Sequence, residues 1–410
     1  MKEMFSIIEQ NRFSDGEMPA KMSYNFDELI DRRGFSTYKT DLATKVFGTA
    51  DLLPLWVADM DFRTPDFIMN AINERCRHEI MGYTIRERDY FAPVVAWFAR
   101  QHGWTIAPQW IDFIAGVVPA IALAINAFTK EDDAVIVQTP VYPPFMEYVR
   151  RNNRRLVCNE LLLKNGQYEI DFELFEKQIG EHKVKMFILC SPHNPGGRVW
   201  RLDELQRIDE ICQKYGVLVV SDEIHADLTL YNNRHIPFAT VSETARERSV
   251  TFLAPSKTFN MPGLASSFYV IPNPEIRGIF DAYIEKLDCR GGNIFAYIAT
   301  TAAYLHGDEW LAQMKKYLQG NIEYVAQYID VYLPKIRAII PQASFLVWLD
   351  FRGMQLTDSE IKHLLVSKAK LGLNAGTTFG QGGSGFARLN VACPRSVLEE
   401  AMRRLRGAAS

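Results

Sequence analysis

From about residue 110 onward the chain alternates two hydrophobic patterns. One is a short, β-branched run that ends in Gly, Pro, Ser or Asp: residues 113–115, 134–137, 186–190, 217–220 and 250–253. Runs that are apolar at every position predict strands covered by helices on both faces of a sheet. The other pattern is a longer stretch of helical period. In residues 202–215, Leu205, Ile208, Ile211 and Cys212 share one face, and Gly216 follows as a C-terminal cap. Strand and helix in alternation predict an α/β fold with a mainly parallel sheet. The uncharged run 113–129 contains Gly116, Pro119 and Asn126. It falls short of the ~20 residues a membrane helix needs and predicts a buried strand leading into a buried helix.

The last third changes character. Residues 308–333 predict one long helix, with Trp310, Leu311, Met314, Leu318, Ile322, Val325 and Ile329 near helical spacing and Pro334 as its stop. A strand over 345–349 follows, and Thr357 with Glu360 forms a capping box for the next helix. A glycine-rich loop leads to a strand over 386–392, and Ser396 with Glu399 is expected to cap a final helix carrying Leu398, Met402 and Leu405. The expected architecture is therefore a large α/β domain over 64–310, with a smaller α+β domain built from 24–63 and 311–408. Residues 1–23 are expected to be an N-terminal extension. Neither repeats nor low-complexity linkers interrupt this plan.

Composition narrows the function. A hydrophobic share of 48% and a charged share of 23% over 410 residues are those of a globular protein. With a net charge of -3 and no basic face, the chain lacks the electrostatic footprint of a nucleic-acid binder. Six cysteines are spread singly, with no C-x-x-C pair, and no H-E-x-x-H motif occurs; this usage fits a reducing compartment and no metal. Residues 1–10 lack the apolar core of a secretory signal. The expectation is a cytoplasmic protein with no membrane partner.

Ligands of open α/β sheets bind just beyond the carboxyl ends of the strands, so the residues there are the candidates. Gly116-Val117-Val118 opens a helix, whose free amides suit a phosphate, although an ordinary glycine turn has the same sequence. Tyr142, between prolines, can stack on a planar ring or fill a loop core. Asn194 can donate an amide hydrogen or simply form an Asn-Pro turn. Asp222 ends an apolar strand, where a carboxylate needs a partner such as a pyridinium nitrogen unless it caps a helix. Lys257, among small and apolar neighbours, can be desolvated as a Schiff-base lysine must be, or be one more surface lysine. Arg388 shares a strand face with Asn390. Its planar fork matches a carboxylate, which a substrate or an internal salt bridge could supply.

In this order the residues resemble the fold-type-I pyridoxal-phosphate enzymes of the aspartate-aminotransferase superfamily, and within it the cysteine-S-conjugate β-lyases, the cystathionine β-lyases of MalY/PatB type. The motifs that carry the likeness are FDELIDRRG (26–34), DLLPLWVADMDF (51–62), GYT (82–84), TPVYPPF (139–145), CSPHNPGGRVW (190–200), SDEIHADL (221–228), APSKTFNMPGL (254–264) and ARLNVACPRS (387–396). The resemblance spans residues 24–407.

It implies a pyridoxal 5'-phosphate cofactor bound through Lys257, which also moves the substrate's Cα proton. Asp222 would keep the ring nitrogen protonated, Asn194 would bind the ring oxygen and Tyr142 would stack on the ring. Val117, Val118 and Ser256 would hold phosphate, with His225 also at the cofactor. Arg388, with Asp59 and Asn194, would hold the amino-acid substrate. Tyr83 would reach the phosphate of a neighbouring subunit, which implies a homodimer with its active site at the interface. Three positions depart from the aminotransferase pattern: His225 replaces a tyrosine, Ala265 an arginine and Ala254 a serine. The implied reaction is β-elimination from L-cystathionine or a related thioether, giving a thiol, pyruvate and ammonia. Transfer of the amino group to a 2-oxo acid is the alternative, and a binding scaffold that has kept the fold is a third.

Overall fold

The computed structural model describes residues 23–87 and 89–409; the expected extension, Ser23 apart, lies outside them. Seven strands form the main sheet: β1 (Ile111–Ile114), β2 (Ala134–Thr139), β3 (Arg155–Glu160), β4 (Val184–Cys190), β5 (Leu218–Asp222), β6 (Ser249–Leu253) and β7 (Ser267–Val270). Their order is β1-β7-β6-β5-β4-β2-β3. Only β7 runs antiparallel to its neighbours.

The apolar runs divide between two faces with the period of a pleated strand. Val135, Val137, Met186, Ile188, Val220 and Val250 pack with Ile121, Ile125, Phe280 and Ile284. Their sequence neighbours Ala134, Ile136, Phe187, Leu189 and Val219 pack with Phe175, Ile179, Leu205 and Ile208. Strands β2, β4 and β5 therefore bury both faces under helices, which is what their uninterrupted hydrophobicity predicted.

A second sheet contains β8 (Arg337–Ile339), β9 (Leu346–Asp350), β10 (Asn374–Ala375) and β11 (Phe386–Asn390), antiparallel in the order β8-β9-β11-β10. The helix Asp308–Tyr332 precedes it, and the helix Arg395–Ala409 follows. Residues 53–54 pair in parallel with residues 371–372 as a separate two-stranded sheet, and the amide of Asn390 in β11 donates to Leu55 O at 3.0 Å.

Four details differ from the sequence reading. Strand β7 is only four residues long, and β3 exposes Arg155 and Glu160 at the sheet edge; neither carries the fully apolar signature. Strand β11 stops at Asn390, two residues early. The last helix starts at Arg395, which puts Ser396 inside its first turn rather than at the cap. Among the described residues, no helix is long and apolar enough to cross a membrane.

The loop after β4 is fastened to the second sheet. Gly197 adopts φ 63°, and a Cβ there would lie 2.3 Å from the Cβ of Pro341. Its carbonyl accepts the amides of Gln342 (2.8 Å) and Ala343 (3.1 Å). Arg198, clamped on Glu204 at 2.9 Å, also donates to Gln342 Oε1 at 3.0 Å.

Candidate active site

The turns beyond β1, β2, β4, β5 and β6 open on one cavity. Val117, Val118, Tyr142, Asn194, Asp222, His225, Ser256 and Lys257 all line it. The site is thus at the carboxyl edge of the sheet, and it takes one or two groups from each turn.

Gly116 begins the anion cradle. Its φ of 102° is one that side-chain-bearing residues avoid, and a Cβ would sit 3.2 Å from Pro119 Cδ. Its amide donates to Ser267 Oγ at 2.9 Å. The following helix, Val117–Phe128, makes its first ladder bond from Ala120 to Gly116. The amides of Val117 and Val118 are therefore without a partner inside the helix, at the positive end of its dipole and on the cavity wall.

Asp222 closes β5 with its carboxylate buried. Its Oδ1 accepts only the amide of Ile224, at 3.1 Å. Burial pushes its pKa up to about 7; the charge of Glu223 adds to this, while the Ile224 amide and Lys257 oppose it. A carboxylate in this state lacks a cationic partner, and a protonated ring nitrogen would supply one.

Lys257 follows β6, and its amine donates to the carbonyl of Ala58 at 2.5 Å. Burial lowers its pKa to about 8, with Asp59 and Asp222 opposing and Arg388 reinforcing that shift. At pH 7 about a tenth of this amine then carries no proton, far more than for a free lysine, as a nucleophile or base requires.

Arg388, on β11, makes no internal salt bridge among the described residues. Its Nη1 donates to Asn194 Oδ1 at 3.0 Å, and its Nη2 donates to Trp56 O and Asn374 Oδ1, both at 2.9 Å. Its Nε is buried without a partner. Burial lowers its pKa to about 10. Among the described residues no carboxylate pairs with it, so the guanidinium is a buried charge held only by neutral oxygens, and a ligand carboxylate is the counterion it lacks. With Oδ1 occupied by Arg388, the NH2 of Asn194 is free to donate.

His225 is buried with Nδ1 unpartnered. Burial, then Lys257 and Arg388, lower its pKa to about 3, so the ring is neutral. Burial raises the pKa of Tyr142, so its hydroxyl keeps its proton.

Two expected site residues lie elsewhere. Asp59 does not face the cavity. Arg32 takes both its oxygens, at 3.0 and 2.5 Å, and Lys39 stands at 3.6 Å. Burial works against its charge, but Arg32, Lys39 and Lys257 hold its carboxyl below the usual range. It therefore reaches Lys257 through charge rather than contact. Tyr83 is fully exposed, away from the cavity of its own chain. The sequence reading missed the Ala58 carbonyl and the Arg32–Asp59–Asp61–Lys39 cluster. The density of charge in FDELIDRRG and DMDF was the available signal.

An anion cradle, a neutral hydroxyl beside the ring position, a buried acid without a cation and a desolvated amine are the groups that a phosphorylated pyridine aldehyde would engage. The residues present fit pyridoxal phosphate, and Arg388 beside Asn194 keeps a buried donor without a partner. The family model described as aminotransferase class I and II matches residues 50–405. Cystathionine beta-lyase PatB of Bacillus subtilis (strain 168) is 43% identical over 386 residues, covering 94% of this chain and 100% of the relative. Protein MalY of Escherichia coli (strain K12) is 34% identical, covering 92% of this chain and 96% of the relative. The crystal structure of cystalysin from Treponema denticola, which contains pyridoxal 5'-phosphate, superposes with a TM-score of 0.91 at 36% identity, over 94% of this chain and 99% of that one.

Proposed function

The chain belongs to the aminotransferase class I and II family and is a pyridoxal-phosphate-dependent carbon–sulfur β-lyase; we propose that its substrate is L-cystathionine or a related cysteine thioether. The observation that carries this reading is that the Lys257 amine and the Asp222 carboxylate line one cavity with Asn194, to which the unneutralised Arg388 donates at 3.0 Å.

When bound, the cofactor supplies an electron sink for the substrate's Cα–H bond pair. This chain's residues do the rest. Arg388, preset by Asn194, Trp56 and Asn374, takes the α-carboxylate and turns the Cα–H bond toward Lys257. The amine of Lys257 accepts that proton. Asp222, ionised once it faced a cation, would hold the ring nitrogen of the cofactor in its protonated form. Tyr142 and the neutral His225 border the ring without adding charge. The Cβ–S bond breaks, the thiolate takes up a proton, and water converts the remaining three carbons to pyruvate and ammonia. The sum is one thioether and one water to one thiol, one pyruvate and one ammonia.

Ile80, Met81, Tyr83 and Ile85 stand exposed on one segment, which supports a homodimer in which Tyr83 reaches the partner's phosphate. The free cysteines support a cytoplasmic setting.

Pyruvate release from L-cystathionine by the loaded protein, with no 2-oxo acid added, tests the reading. Pyruvate with equimolar thiol is the expected result. Turnover only when a 2-oxo acid is supplied would make the protein a transaminase instead.

A further inference from the structure

Behind the cavity lies a carboxylate that touches neither cofactor nor substrate in the scheme above. Asp227 sits on a single helical turn, Ala226–Leu228, just after the segment that bears Asp222. Its side chain is 3% exposed. Oδ1 accepts from Trp97 Nε1 at 2.9 Å and pairs with His102 Nε2 at 2.8 Å, both on the helix Phe91–His102. Oδ2 accepts from Thr258 Oγ1 at 2.8 Å. Thr258 is wholly buried and adjoins Lys257 in the chain.

We propose that Asp227, backed by His102 and Trp97, is a positioning residue that sets the Lys257 turn through the hydroxyl of Thr258; the inference rests on the reading of Lys257 as the reactive amine. Three observations converge on it. First, the turn that Lys257 opens is fixed at two points. Thr258 ties it to Asp227, and Asn260 ties it to Met60 (3.0 Å) and Phe62 (2.7 Å). Second, the same scaffold holds the Asp222 segment. His102 meets His235 edge to face at 5.6 Å, and His235 pairs at 2.7 Å with Glu223, the residue after Asp222. Glu223 also accepts from Ser221 Oγ (2.8 Å) and from the amide of Phe238 (2.9 Å). Two carboxylate–histidine pairs thus stand back to back, one behind each reacting group. Third, Asp227 keeps its charge. Burial works against ionisation, but His102, Trp97 and Thr258 together hold its carboxyl below the usual range. A buried pair contributes little stability that an apolar core would not. An apolar core, however, cannot fix the angle of a hydroxyl, and an amine misplaced by ~1 Å loses on the order of 100-fold in rate.

The test uses the loaded full-length protein and four variants: Thr258→Val, Thr258→Ser, Asp227→Asn and the Asp227→Asn/Thr258→Val double. Thr258→Val keeps the size of the side chain and leaves Asp227 two donors. It is expected to lower kcat on the order of tenfold or more, to leave KM within about twofold because Arg388 is untouched, and to raise the pyridoxal-phosphate dissociation constant measured by spectral titration. Thr258→Ser should restore both constants. The double variant should be no worse than the worse single, as two members of one relay are. A folded Thr258→Val with wild-type kcat and cofactor affinity overturns the proposal, as does a double variant in which the losses multiply. A lowered melting temperature with kcat unchanged assigns the network to stability alone and also overturns it. If Asp227→Asn does not fold, the Val and Ser variants at 258 still decide. Lys257→Ala, run in parallel, separates the two readings. Retained turnover there refutes the role of Lys257 itself, whereas lost turnover beside an active Thr258→Val refutes only the positioning role.

Discussion

Arg388 donates to the side-chain oxygen of Asn194 at 3.0 Å, across 194 positions of sequence. The bond joins β11 of the second sheet to the loop after β4 of the first, so this pair exists only when both sheets are in place. It also fixes which end of the Asn194 amide faces the cavity. Arg388→Lys keeps the charge but loses the planar fork. We expect kcat/KM for the amino acid to fall by at least about 30-fold, from the roughly 2–5 kcal/mol attached to losing one partner of a buried charge pair, while cofactor absorbance stays unchanged. Steady-state kinetics with matched spectra check it.

Lys257 titrates at about 8 in the cofactor-free site, against about 10.4 for a free lysine. Its modification by an amine-directed reagent in cofactor-free protein should show a pH midpoint near 8. Asp59 is the leading group that holds this value up. Asp59→Asn removes that charge and leaves Arg32 and Lys39 less neutralised, so the midpoint should move lower still. A midpoint that rises in this variant contradicts the electrostatic role given to Asp59.

Asp222 makes cofactor-free protein pH-sensitive in a definite direction. Folded, its carboxyl holds a proton up to about 7; unfolded, it releases it near ~3.9. Between these limits the unfolded state binds fewer protons, so this group's contribution is fully present below about 4 and is lost as pH rises through about 7. Urea midpoints of cofactor-free protein should therefore fall over that window more steeply in wild type than in Asp222→Asn. Equal slopes refute the assignment.

Gly116→Ala tests the anion cradle. The residue must adopt φ 102° and accept a Cβ 3.2 Å from Pro119, a strain of about 1–3 kcal/mol. Pyridoxal-phosphate affinity should weaken on the order of tenfold, with Lys257 still competent at saturating cofactor. Unchanged affinity in a folded variant places the phosphate elsewhere.

Much of this site was legible because each strand announces its own end. Asp222, Lys257 and Asn194 follow apolar runs whose periodicity defines the sheet, and an open sheet puts such ends together. Gly116 was ambiguous in sequence, since a turn and a cradle require the same residue. Its φ of 102° shows that the turn requires glycine. Arg388 was equally open until its surroundings proved to contain only neutral oxygens. Asp59 misled, because a carboxylate in a motif does not reveal which cation will reach it. Arg32 and Lys39 lie 27 and 20 positions earlier, a distance that only the folded chain closes. The Asp227 relay was hidden for the same reason: Trp97, His102 and Thr258 share no local pattern.

The clasp between Gly197 and residues 341–343 has a mechanical consequence. Two backbone bonds and a contact too tight for any Cβ hold the 341–343 segment against the loop three residues from Asn194. The spacing between Asn194 and Arg388 is thereby set by main-chain contacts as well as by their own 3.0 Å bond, so a residue larger than glycine at 197 would displace both partners at once.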